Sequence, residues 1–204
     1  MGYTRRDIKV IEGLEAIRRR PTMYLGEATS ERTLCSLLVE CVVGSIVAES
    51  PAPAALRLLL WSDGAVTVAY DGERLPIEAR ETRTGVAHPE LYSLFMSIFG
   101  PRRPLQFGAA IVNALSEKLV VSAIRDGVRY RAAFSRGGLV SLLSKAPTDE
   151  PMGTNWLTFK PDTAIIPGVL DAAEAERIVT RVRSANPAVP ASVADRSSEK
   201  PDWW

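Results

Sequence analysis

The 204-residue chain predicts an α+β domain, a two-layer sandwich of helices packed on a mixed, largely antiparallel sheet. Three observations point there. Helical periodicity dominates the first fifty residues. Two strand, turn, strand units then follow, each around an Asp-Gly pair. Apolar residues make up 46% of the chain and are spread along most of it, enough for one core in a chain of this length.

From Arg5 to Arg20, Ile8, Ile11, Leu14 and Ile17 recur at close to a helical period, and Pro21 stops the run. Thr22 to Ser30 reads as loop. From Glu31 to about Ala48 the chain is apolar nearly all round, which predicts a helix buried on more than one side. Leu56 to Trp61 and Ala65 to Tyr70 flank Ser62-Asp63-Gly64 as a hairpin. Pro89 to Phe99 and Gly108 to Glu117 have helical spacing, separated by a Gly100 to Pro104 loop, with His88 also in loop. Leu119-Val120-Val121 opens a second hairpin that turns at Asp126-Gly127 and returns through Val128 to Phe134. Gly137-Gly138 leads into a third strand through Leu142. Trp156 to Phe159 is a further strand, and Ala172 to Val182 an amphipathic helix with Asp171 as cap. After Arg183, Pro, Ser, Ala and charge predominate. The expected organisation is one domain over 1–183 and a mobile tail over 184–204.

Twenty-five Lys and Arg against 24 Asp and Glu leave +1, so no long-range field draws in DNA. Arg18-Arg19-Arg20 suits a helix end, where cations meet the last carbonyls. Cys35 and Cys41 lie in one apolar helical stretch with no His nearby, which leaves neither disulfide nor zinc geometry. No leader-like apolar segment follows the N-terminal charges, and the longest near-apolar run, Leu34 to Ala48, is too short to span a bilayer. The expectation is a cytoplasmic protein with no membrane contact.

Several segments, taken in order, resemble a known family. Tyr3-Thr4, then Ile8-Lys9-Val10-Ile11-Glu12-Gly13-Leu14, then Ile17-Arg18-Arg19-Arg20-Pro21-Thr22-Met23-Tyr24-Leu25-Gly26 are similar to the leader of the B subunits of DNA gyrase and topoisomerase IV. Ile111-Val112-Asn113-Ala114-Leu115-Ser116 is similar to that family's V-V-N-A-L-S helix. The resemblance spans roughly residues 3–165 and implies the GHKL, or Bergerat, ATPase fold, with ATP and magnesium as cofactors. In the family the arm around Tyr3 reaches a second protomer, which implies a homodimer or a mixed dimer with a gyrase B-type protein.

The resemblance also assigns residues. Glu40 matches the general base that orients the attacking water; without the resemblance it is a lone carboxylate on an apolar helix, at a wet edge or at a site. Gly44 stands where the family has the magnesium-holding Asn, and a glycine side chain cannot ligate a cation. In Tyr70-Asp71-Gly72-Glu73-Arg74-Leu75-Pro76, ungapped alignment puts Tyr70 at the adenine-reading Asp and leaves Asp71 one residue late, on the other face of the strand. Leu75 and Pro76 match the motif's Ile-Pro. Glu73 and Ala48 replace an Arg and an acidic partner, so both halves of an ion pair have changed.

The phosphate lid is shortened to Gly100 through Gly108. Gly108 alone remains of the glycines that admit phosphates to backbone amides, while Arg102 and Arg103 are available as loop cations. Thr154 matches a threonine near the adenine and Arg131 an arginine at the pocket mouth, although both also suit ordinary sheet surface. The family's transducer lysine has no counterpart in these 204 residues, nor has a cleavage-tyrosine or toprim segment, so this chain alone is not expected to be a topoisomerase. The expectation is a degenerate gyrase B-like module without efficient ATPase activity that acts by binding or regulation. The alternatives are a slow ATPase, and a decoy for aminocoumarin-type inhibitors held through Arg131.

Overall fold

A computed structural model describes residues 13–81, 87–98, 104–149 and 154–203. The arm around Tyr3, the lid residues 99–103 and Met152-Gly153 lie outside the described residues.

The chain opens with two short helices, α1 (Glu15–Arg19) and α2 (Thr22–Leu25), the second within the expected loop. Helix α3 (Leu34–Val47) starts at Thr33, whose Oγ1 accepts the Ser36 amide at 3.1 Å. Strands β1 (Ala55–Trp61) and β2 (Val66–Asp71) form the first hairpin. A two-stranded ribbon follows, β3 (Ala79–Glu81) with β4 (Ala87–Pro89), so His88 is paired with Arg80 and is not in open loop. Helices α4 (Glu90–Met96) and α5 (Pro104–Leu115) come next. α5 begins four residues before Gly108: Pro104 is its first residue, where the missing N–H would have had no partner in any case.

Strands β5 (Ser116–Arg125), β6 (Val128–Ser135) and β7 (Gly138–Pro147) form a meander. Its first turn has Asp126 at φ 49° and Gly127 at φ 71°, the left-handed pair that an Asp-Gly hairpin needs. β8 (Thr154–Pro161) then inserts between β5 and β2. α6 (Ala172–Ala185) follows, with a capping box between Asp171 and Glu174.

The tail expected after Arg183 is corrected. Residues 191–196 form β9 (Ala191–Arg196), which pairs in parallel with β1 and completes the order β7-β6-β5-β8-β2-β1-β9. Ala-Ser-Val-Ala-Asp-Arg carries little apolar signal because an edge strand has few faces to bury. The chain then returns over the sheet: the Ser62 amide donates to the Glu199 carbonyl at 3.0 Å and Pro201 is buried.

The helices cover one face of the sheet. Leu56, Leu58, Val66, Val68, Tyr70, Val121, Ala123, Leu157 and Phe159 point into the core beneath α3, α5 and α6. Alternation sends Trp61, Thr67, Ser122, Arg131 and Thr158 to the opposite face. On that face Trp61 Nε1 donates to Thr67 Oγ1 at 2.9 Å, and Thr67 meets Thr158 at 2.8 Å. No helix among the described residues is long and apolar enough to cross a membrane.

Candidate functional site

Glu40 and Gly44 lie one turn apart on α3, whose apolar sequence buries nearly every other direction. This stripe therefore reaches the surface. It lines a groove of about 330 Å³ against Ile178, Arg181 and Val182 of α6. Glu40 is held there by two guanidinium groups: Arg32 Nη2 bonds its Oε2, and Arg181 Nη1 lies 2.9 Å from its Oε1. Gly44 offers no ligand atom to the groove, and Ala48 and Val47 continue it with apolar surface. Among the described residues no cluster of three or more His, Cys, Asp or Glu could hold a metal ion.

At the far end of β2 the register is explicit. Tyr70 is opposite Leu56 and Asn155, on the helix face, and is 2% exposed; Asp71 is opposite Thr154, on the other face, and is half-buried. The interior beside Tyr70 is closed by Leu75, at 1% exposure, and by Asn155, at 0%, whose Nδ2 donates to the Glu73 carbonyl at 3.2 Å. Pro76 is buried as well, and its carbonyl accepts the Leu91 amide at 2.8 Å, which ties the segment to α4.

Arg125, the last residue of β5, completes this cluster. Its Nη2 reaches the Leu75 carbonyl at 3.4 Å. Burial, reinforced by the nearby Arg74 charge, pushes its guanidinium below the usual arginine range. Sequence reasoning passed over Arg125. Its signal was a lone cation ending the apolar run Leu119 to Ile124 just before the Asp126-Gly127 turn.

Two expected site residues stand elsewhere. Arg131 is on the opposite face of the sheet from Tyr70: strand alternation puts Ala132 and Phe134 in the core and turns Arg131 outward. There it bonds Asp202, with Nη1 2.8 Å from Oδ2. Thr154 shares that outward register with Asp71, so Asn155 and not Thr154 is Tyr70's neighbour on β8.

Gly108 sits in the fifth position of α5, against α3. A Cβ there would lie 2.7 Å from Ser45 Oγ and 3.2 Å from the Cys41 carbonyl. The absent side chain lets two helices touch, whatever the phosphate expectation. At the start of α5, Glu49 Oε1 accepts the Leu105 amide at 2.7 Å, with Glu49 only 9% exposed. The chain thus places its own carboxylate at the positive end of the helix, where an anion would otherwise be favoured. Glu49 was not singled out in the sequence, because only the fold brings it to a helix 56 positions away. Cys35 and Cys41 are packing groups, their thiols pushed up by burial to about 12 and about 11.

The seven-stranded sheet with helices on one face is that of a gyrase B ATPase domain. The structure superimposes on the crystal structure of the 43K ATPase domain of Thermus thermophilus gyrase B in complex with an aminocoumarin, with a TM-score of 0.73 and 27% identity over 93% of this chain and 50% of that one. In sequence it is 35% identical over 174 residues to the B subunit of the type 2 topoisomerase of Aquifex aeolicus. It is 33% identical over 174 residues to the B subunit of topoisomerase 4 of Caulobacter vibrioides, and 33% identical over 180 to the B subunit of DNA gyrase of Thermus thermophilus. The chain is a homologue of the gyrase and topoisomerase IV B subunits. These matches cover 80%, 80% and 81% of this chain but only 22%, 25% and 27% of the relatives, so it spans about a quarter of their length. No family model matches the sequence.

Proposed function

We propose that this is a gyrase B-like binding module that does not turn over ATP efficiently and acts by engaging another molecule. The burial of Tyr70 carries the reading. At the position where the resemblance expects the adenine-reading carboxylate, a phenol fills the interior beside Leu75, Asn155 and Arg125, and Asp71 faces the other side of the sheet. An adenine amino group entering here would meet a side chain already in van der Waals contact with the core.

The residues implied for ATP and magnesium do not fit those groups. Gly44 cannot replace an amide ligand. Glu40, the expected base, is committed to Arg32 and Arg181, and Glu49 already satisfies an amide at the start of α5. With these substitutions spread over three elements, the scaffold is retained and the nucleotide chemistry is not. The decoy reading loses its motivating residue, since Arg131 faces away from Tyr70.

Steady-state ATP hydrolysis with and without magnesium tests the proposal. We expect no turnover above buffer, and an identical trace for Glu40→Gln. Magnesium-dependent hydrolysis that Glu40→Gln abolishes would restore the slow-ATPase alternative.

A further inference from the structure

The opposite face of the sheet carries a second feature, independent of the nucleotide region. Trp61, Ser122, Arg129, Arg131, Trp156 and Thr158 line a cavity of about 180 Å³, closed at one side by Pro201 and Asp202. The segment after β9 crosses this face and is fastened at its ends. Ser62 holds Glu199, Arg131 holds both the side chain and the carbonyl of Asp202, Trp203 Nε1 donates to Asp63 Oδ2 at 3.1 Å, and Lys118 Nζ stands 5.5 Å from the Trp203 ring. Each recognition element is specific. An arginine takes a carboxylate, a carboxylate takes an indole N–H, and a lysine sits on an aromatic face.

These fastenings are also weak. The Asp202 side chain is 76% exposed, and an ion pair in that setting adds little. Beneath the strap the fit is incomplete: the buried Trp156 indole N–H meets no acceptor among the described residues.

We propose that this face is a binding site for an acidic-aromatic peptide segment of a partner protein, with Asp followed by Trp as its core, and that residues Pro201 to Trp203 occupy it as an intramolecular ligand. The chemistry of the occupant is read from the occupant in place: a carboxylate for Arg131, then an indole between Asp63 and Lys118. A partner segment with the same order displaces the strap, because both compete for the same groups. Nothing in this depends on the nucleotide reading, since Tyr70 and Glu40 lie on the helix side.

The test titrates a fluorescently labelled peptide, Ser-Glu-Lys-Pro-Asp-Trp-Trp, into the wild-type chain and into Asp202→Ala/Trp203→Ala, in which the strap is released. Closure lowers apparent affinity by the fraction of open sites, so the released variant should bind about tenfold or more tightly than the wild type. Binding should weaken with added salt and vanish when Arg131→Ala is introduced into the released variant. Trp203→Ala alone, which removes the indole held by Asp63 and Lys118, serves as a second released form should the double variant fail to fold. Absence of saturable binding to a folded released variant, or binding indifferent to Arg131→Ala, overturns the proposal.

Discussion

Gly108 shows how one residue type can answer two demands. The resemblance reads it as the last glycine of a phosphate loop, and the structure uses it for helix contact. Ala would improve helix propensity by about 1 kcal/mol, but its Cβ would meet Ser45 Oγ at 2.7 Å and a backbone carbonyl at 3.2 Å. Overpacking of this kind costs about 1–3 kcal/mol, so Gly108→Ala should be net destabilising by about 1 kcal/mol in denaturant unfolding. In a Ser45→Gly background the two nearest atoms are gone, and the cost of Gly108→Ala should fall. A cycle with no coupling between the two positions would contradict the contact. At Tyr70 the sequence was informative because strand alternation is rigid: a one-residue offset in the Tyr70-Asp71 pair necessarily moves the carboxylate to the other face. The sequence leaves Arg131 open between the pocket mouth and ordinary sheet surface for the complementary reason. A cation on a strand does not announce its face until the register to a neighbouring strand is known.

At the scale of elements, the sequence was legible where a local rule has one solution. Asp126-Gly127 permits little but a tight hairpin, and the continuous apolar run of α3 needs burial on several sides. It was silent where elements are joined by distant groups. Asp162 is such a joint. At 4% exposure it accepts Arg18 Nη2 at 2.8 Å and Arg136 Nε at 2.9 Å, while Arg18 Nη1 also reaches the Ala114 carbonyl at 2.7 Å. One carboxylate thus ties α1, the turn between β6 and β7, and the ends of α5 and β8.

Burial alone would raise the Asp162 carboxyl, but the hydrogen bonds from Arg18 and Arg136 hold it below its ordinary value of 3.8. A carboxyl depressed in the folded state adds stability above its unfolded value, and that contribution is lost as pH falls through 3.8 and then through the lower folded value. Asp162→Asn should therefore cost about 2 kcal/mol near neutral pH, because the part-buried Arg18 guanidinium loses its carboxylate while the half-exposed Arg136 turns to water at little cost. The gap between wild type and variant should narrow as the pH is taken below 3.8, read by thermal melts across the acid range. A gap that is constant with pH would show that the carboxylate's charge is not what joins the elements.

For the whole molecule, fold and site separate cleanly. The core under α3, α5 and α6 preserves the gyrase B ATPase-domain architecture, and the proposed loss of nucleotide chemistry rests on a few side chains within it: the buried phenol of Tyr70, the bare Gly44 and the Glu49 carboxylate at the start of α5. The proposed binding role, together with the sequence resemblance of the arm around Tyr3, predicts pairing with a second copy or with a gyrase B-type protein. Light scattering of the purified chain, alone and mixed with such a protein, should give a dimeric mass in one of the two samples; monomers in both would rule pairing out.

Calorimetric titration of the chain with ATP and with a non-hydrolysable analogue, with and without magnesium, asks directly whether this interior accepts the nucleotide. No saturable heat is expected under any of these conditions. Saturable binding strengthened by magnesium would contradict it, and would mean that Tyr70 moves aside to admit an adenine.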